Sequence, residues 1–146
     1  MRPSRGIPRS TPECRWAEIR SASVETIAGH ASRASLGRAG EDAAAALYLR
    51  RGFRIVARNW RCRLGELDLV VERAGLFVFC EVKARRGSRF GGGYEAVTGL
   101  KQRKLRQLAE IFTSTTYGPH DNVRFDVASV HVGTGGASVE LFEDAF

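Results

Sequence analysis

Cysteine is scarce and poorly placed for disulfide or metal chemistry. Cys14, Cys62 and Cys80 lie 48 and 18 residues apart, so there is no Cys-x-x-Cys pair and no zinc-ribbon spacing. They fit reduced, mostly buried small hydrophobes. His30, His120 and His131 are equally scattered, which argues against a structural zinc site. Long apolar runs are missing too: Ala43 to Leu49 and Leu76 to Cys80 fall far short of the roughly 20 residues that cross a bilayer. No apolar h-region follows the first arginines, and Glu13, Glu18 and Glu25 do not suit an acid-poor transit peptide. A cytoplasmic location and no membrane partner are therefore expected. There is no internal repeat. Lysine is rare, with only Lys83, Lys101 and Lys104 among 23 basic residues.

What is present suits one globular domain and a tail: 146 residues, 43% apolar and 27% charged. The 23 Lys and Arg against 16 Asp and Glu give a net charge of +7, which points to a polyanionic partner, although an arginine-rich composition can also arise without one. Residues 1–35 carry only +3 of that excess. Residues 1–34, with Pro3, Pro8 and Pro12 and no sustained period, read as a flexible basic extension, and 35–146 as the folded domain.

Within that domain Ser35 caps a helix that ends at Gly52. Phe53 to Arg61 alternates as a half-exposed outer strand. Leu64 to Glu72 and Leu76 to Arg85 form a hairpin about Ala74 and Gly75. Gly87 to Gly93 reads as a mobile loop. Val97 to Phe112 carries a helical apolar stripe, and Asn122 to Val132 and Ser138 to Phe142 are two more strands. The order αβββαββ predicts an α/β fold, a mixed sheet flanked by helices.

The charged residues of the hairpin hold the chemistry. A two-residue turn places Asp68 opposite Glu81 and Glu66 opposite Lys83, with all four on one face. Like charges across a ladder are destabilising unless something neutralises them, and hard oxygen ligands suit Mg²⁺. Lys83 stands where this chain would ordinarily use arginine, and a lysine can orient or help deprotonate a water. It equally fits a strand lysine that snorkels to solvent and pairs with Glu66.

The runs Gly40-Glu41-Asp42-Ala43-Ala44, Asn59-Trp60-Arg61-Cys62-Arg63, Gly65-Glu66-Leu67-Asp68-Leu69, Phe79-Cys80-Glu81-Val82-Lys83-Ala84-Arg85, Lys101-Gln102-Arg103 and Arg124-Phe125-Asp126-Val127 resemble the YraN-like family of small bacterial proteins. The match spans roughly residues 36–132. That family is similar to archaeal Holliday junction resolvases and to PD-(D/E)xK nucleases of restriction-endonuclease-like fold. The resemblance implies that Asp68 and Glu81 hold Mg²⁺ or Mn²⁺ with Glu41 as a third carboxylate, and that Lys83 assists the attacking water. Leu67 departs from the proline of the superfamily name. Lys101, Gln102, Arg103 and Lys104 resemble the family's basic helix, and with Arg85, Arg86 and Arg89 they are expected to bind a nucleic acid backbone. Glu41 and the helix residues also fit solvated polar faces. The implied function is a metal-dependent endonuclease acting on DNA, branched or junction DNA included, and the analogy implies a homodimer. The alternatives are a non-catalytic nucleic-acid-binding protein on the same scaffold, or an interaction protein whose basic surface only aids solubility.

Overall fold

The computed structural model describes residues 33–87, 97–116 and 122–146. The expected N-terminal extension up to residue 32, most of the glycine loop, and Arg89 lie outside the described residues. The chain runs α1 (Arg33–Arg50), β1 (Arg54–Cys62), β2 (Gly65–Arg73), β3 (Leu76–Arg86), α2 (Gly99–Thr116), β4 (Val123–Gly133) and β5 (Gly136–Phe142). The expected αβββαββ order and α/β class are observed, and α1 begins two residues before the Ser35 cap. Among the described residues no helix is long and apolar enough to cross a membrane.

The five strands lie in the order β1-β2-β3-β4-β5, antiparallel except for the parallel β3–β4 pair that α2 connects. Ala74 and Gly75, with φ of 50° and 83°, make the two-residue turn that hairpins of this twist require. It sets the register expected from the sequence, Arg73 opposite Leu76 and Leu69 opposite Cys80. One core cluster lies on each face of the sheet. Leu105, Leu108, Ala109 and Phe112 of α2 cover Trp60, Leu67, Val70, Phe77, Phe79, Phe125 and Val127. Ala44, Ala45 and Tyr48 of α1 cover Leu69, Val71, Val78, Cys80, Ala128 and Val130.

Helix α1 ends where expected. Gly52, at φ 82°, lets its own N–H and that of Phe53 turn back to the carbonyls of Leu49 and Tyr48, and the Phe53 ring meets the Tyr48 ring edge-on. The Tyr48 hydroxyl donates to buried Asp126 at 2.6 Å. Both Asp126 oxygens also accept from the Arg124 guanidinium at 2.8 Å, and one accepts the Asp144 N–H at 3.0 Å. The Arg124-Phe125-Asp126-Val127 run is thus a fully partnered anchor for α1.

Strand β1 departs from the simple alternation expected of it. A bulge between Ile55 and Ala57 sends Ile55 towards α1 and both Val56 and Ala57 towards α2. Asn59 then adopts a left-handed φ of 51°, a conformation asparagine tolerates better than most residues. Arg58 and Asn59 both reach α1, and Trp60 passes to the other face to meet Phe112.

Two glycines of α1 differ in their surroundings. A methyl group at Gly40 would sit 2.5 Å from the Ala84 Cβ, whereas one at Gly37 would meet nothing within 4 Å. Gly37→Ala is expected to stabilise the protein by up to about 1 kcal/mol through helix propensity. Gly40→Ala is expected to cost about 1–3 kcal/mol by forcing α1 off β3. Urea unfolding of both variants checks this, and equal effects of one sign would refute it.

Candidate functional site

The site lies where β2 and β3 part company. Among the described residues, β2 pairs only with β1 from Gly65 to Leu67, and β3 pairs only with β4 from Glu81 onward; the last rung joining β2 to β3 is Leu69 with Cys80. In the fork so formed the Val82 N–H would lack a strand partner, and the Asp68 carboxylate accepts it at 2.9 Å. Asp68 is also where β2 breaks its own alternation, since Leu67 packs on the α2 side and Leu69 on the α1 side. Asn59 stands across from it, on the rung between Arg58–Leu69 and Trp60–Leu67.

Glu81 follows Phe77 and Phe79 on the α2 side of β3, is almost buried, and meets the Lys101 ammonium at 3.3 Å. Glu41 arrives from α1, four residues before Ala45 and seven before Tyr48, at the end of the buried stripe. It accepts from the Asn59 amide at 2.8 Å and lies 4.0 Å from Arg58. The expectation that Glu66, Asp68, Glu81 and Lys83 share one flat face is therefore corrected. The three carboxylates Glu41, Asp68 and Glu81 converge on the fork from three elements and from both faces of the sheet. Glu66 instead forms an ion pair with Arg61 of β1 at 2.8 Å. Lys83, two residues beyond Glu81, is half-buried and does not pair with Glu66.

Burial and the neighbouring Glu81 carboxylate push the Asp68 carboxyl up to about 7. The Val82 hydrogen bond opposes the shift, and Glu41 and Glu66 add smaller upward contributions. Oxygen-only donors carrying incompletely compensated charge fit a hard divalent cation in kind. As the side chains stand, each carboxylate holds a protein donor, and among the described residues no three of His, Cys, Asp and Glu form a group able to hold a metal ion.

The other expected residues divide. Lys101 and Lys104 project from the first two turns of α2 beside an open groove of about 430 Å³. Arg103 is exposed on the same helix, and Arg85 and Arg86 lie at the end of β3. The Gln102 side chain holds the Val97 carbonyl at 2.8 Å, stitching the helix entry behind its Thr98 cap, so its amide serves the fold. Sequence reasoning missed Asn59 as the residue that orients Glu41. An asparagine inside a strand otherwise rich in apolar and arginine residues is the signal that marks it.

This fold and site define a class: a mixed-sheet α/β protein of nuclease-like architecture, with acidic residues gathered in the fork of its sheet. The chain belongs to the Uncharacterised protein family UPF0102, whose profile matches residues 40–130. This bears out the YraN-like resemblance of the sequence motifs. Similar proteins include the UPF0102 protein of Nocardia farcinica, 45% identical over 114 residues that cover 78% of this chain and 90% of the relative. The UPF0102 protein of Acidothermus cellulolyticus is 45% identical over 132 residues, covering 82% of this chain and all of that protein.

Because the Asp68 carboxyl in the folded chain titrates above its ordinary 3.8, the folded state binds that proton more tightly than the unfolded state. Its contribution to stability declines as pH rises from about 4 to about 7, and the deficit is complete above that window. Asp68→Asn is expected to exceed the wild type in stability at pH 8 by up to about 4 kcal/mol and to converge with it below about pH 4. Urea unfolding across pH measures the difference. A variant destabilised equally at every pH would show that the carboxylate is purely structural.

Proposed function

We propose that the protein is a metal-dependent nuclease that hydrolyses phosphodiester bonds in DNA. The observation that carries this reading is the convergence of Glu41, Asp68 and Glu81, from α1, β2 and β3, around a carboxyl raised to about 7. Gathering like charges in a half-buried fork costs stability, and such perturbed groups concentrate at functional sites. Asp68 and Glu81, with Glu41, are the residues that would hold Mg²⁺ or Mn²⁺, once they turn from their present donors, the Val82 N–H, Lys101 and Asn59. The chemistry such a cation supplies is a lowered pKa for water and an offset to charge on the phosphate. Lys83, two residues beyond Glu81 on the same strand, orients the attacking water or takes its proton. Water attacks phosphorus in line, the bond to the leaving oxygen breaks, and that oxygen gains a proton. Lys101, Lys104 and Arg103 on α2, with Arg85 and Arg86 beyond β3, hold the DNA backbone without reading bases, so binding should weaken with salt. The resemblance to resolvases points to branched or flapped substrates and to a homodimer carrying two such sites.

The Lys101–Glu81 ion pair favours a second reading, a nucleic-acid-binding protein that cuts nothing. In that case a lysine permanently compensates Glu81, and the cluster is an internal ion-pair network.

The two readings separate in one experiment, with linear, single-stranded, flapped and four-way DNA offered to the wild type, Asp68→Asn and Lys83→Ala in Mg²⁺ or Mn²⁺. Nuclease activity predicts cleavage by the wild type, abolished by EDTA and reduced at least about 100-fold in both variants, with folding and DNA affinity retained. A wild type that binds these DNAs and cuts none with either metal supports the binding protein. Parallel loss of folding and binding in the variants would assign the cluster a structural role.

A further inference from the structure

The groove beside the fork is not explained by the carboxylates. One wall is the end of the β1–β2 hairpin, with Arg61, Cys62, Gly65 and Glu66. The other is the start of α2, where Lys101 and Lys104 stand above a floor of Leu105 and Leu108. Among the described residues, three cations thus surround one carboxylate. Arg61 is held by Glu66 at 2.8 Å and Lys101 by Glu81 at 3.3 Å, while Lys104 makes no ion pair among the described residues. Gly65, at φ 150°, lies beneath it: a methyl group there would come within 2.9 Å of the Lys104 Cε and 3.4 Å of its Nζ. The glycine lets the lysine stem lie along the hairpin. Two residues connect the groove to the fork, Lys101 through Glu81 and Glu66 through its charge on Asp68.

We propose that this groove is a subsite for a single unpaired nucleotide of the strand to be cut, its phosphate held by Lys104 together with Lys101 and Arg61. The excess of cations selects an anion. A volume of about 430 Å³ is that of a small-molecule pocket, with room for one nucleotide. The proposal rests on the nuclease reading for the chemistry next to the groove, and it narrows the substrate to DNA with unpaired nucleotides at the point of cleavage.

Cys62, in the groove wall, reports occupancy directly. The full-length protein in EDTA is mixed with a thymidine tetranucleotide, with its uncharged methylphosphonate analogue, or with a short blunt duplex. Alkylation of Cys62 by iodoacetamide is then followed by peptide mass spectrometry. The tetranucleotide is expected to slow alkylation at least about fivefold, and the other two to do so little, because the phosphate charge and an unpaired strand are both required. Lys104→Gln should lose most of the protection and lower the slope of log affinity against log salt by about 0.7. Glu66→Gln, which removes the one carboxylate among the described residues of the groove, should strengthen binding. Equal protection by the methylphosphonate or the duplex, or an unchanged Lys104→Gln, would overturn the subsite. No cleavage is read, so the two proposals fail separately: DNA cutting without Cys62 protection refutes only the subsite, and protection without cutting refutes only the nuclease.

Discussion

The parting of β2 from β3 after the Leu69–Cys80 rung is the constraint on which the site depends. Two strands joined by a tight turn ordinarily remain paired along their length, since each backbone N–H and C=O needs a partner. Here β3 leaves its hairpin partner to lie parallel to β4, and β2 remains with β1. The fork exposes backbone donors that must be satisfied by something other than a strand. Asp68 does this for Val82, and its carboxylate is thereby fixed in the gap rather than projected from a flat sheet.

The fork would hold two carboxylates, not three, if α1 were not pressed against β3. Gly40 permits the close approach to Ala84, and the Tyr48 hydroxyl, bonded to an Asp126 already gripped by Arg124, pins the far end of the helix. Between those two points Glu41 has little freedom in height or rotation, and Asn59 supplies the amide that orients it. Each supporting contact is neutral or fully paired. In the fork, by contrast, burial and the repulsion of Glu81 together push the Asp68 carboxyl up to about 7. A fold that satisfies its buried polar groups elsewhere and leaves this cluster strained has the pattern expected of a functional site.

Much of this was legible in the sequence. The hairpin register followed from Ala74-Gly75, and all seven elements followed from periodicity and from Gly52, because turn chemistry and apolar spacing are local signals. The inward position of Glu41 was implied by the family resemblance alone, since a first-helix glutamate fits a solvated face equally well. The fork itself was not legible. Strand pairing beyond a turn depends on which third strand competes for the same edge, and the alternation of Glu66 with Asp68 and of Glu81 with Lys83 describes a flat ladder that β4 in fact dissolves. The side-switching at Val56 and Asn59 was hidden for the same reason: a period-2 pattern has no term for a bulge or a left-handed residue.

The scarcity of lysine acquires a spatial meaning in the structure. Arginine does much of the fold's stitching: Arg124 is bidentate to Asp126, Arg58 reaches Asp42, Arg51 reaches Glu143, and Arg54 reaches Glu72. Arg73 lies over the Phe53 ring, and Arg106 lies over Phe125 and Phe146. These are the roles that a planar, always-charged guanidinium fills better than an ammonium. Much of the arginine charge is therefore compensated within the fold, and the count of 23 basic residues, unlike the net charge of +7, overstates what remains for a polyanion. All three lysines, in contrast, stand about the fork and its groove: Lys83 on the strand of Glu81, Lys101 on Glu81 itself, and Lys104 over Gly65. A compact, mobile ammonium can exchange one anionic partner for another at little geometric cost. Lys101, placed between a carboxylate of the fork and the mouth of the groove, is positioned for that exchange.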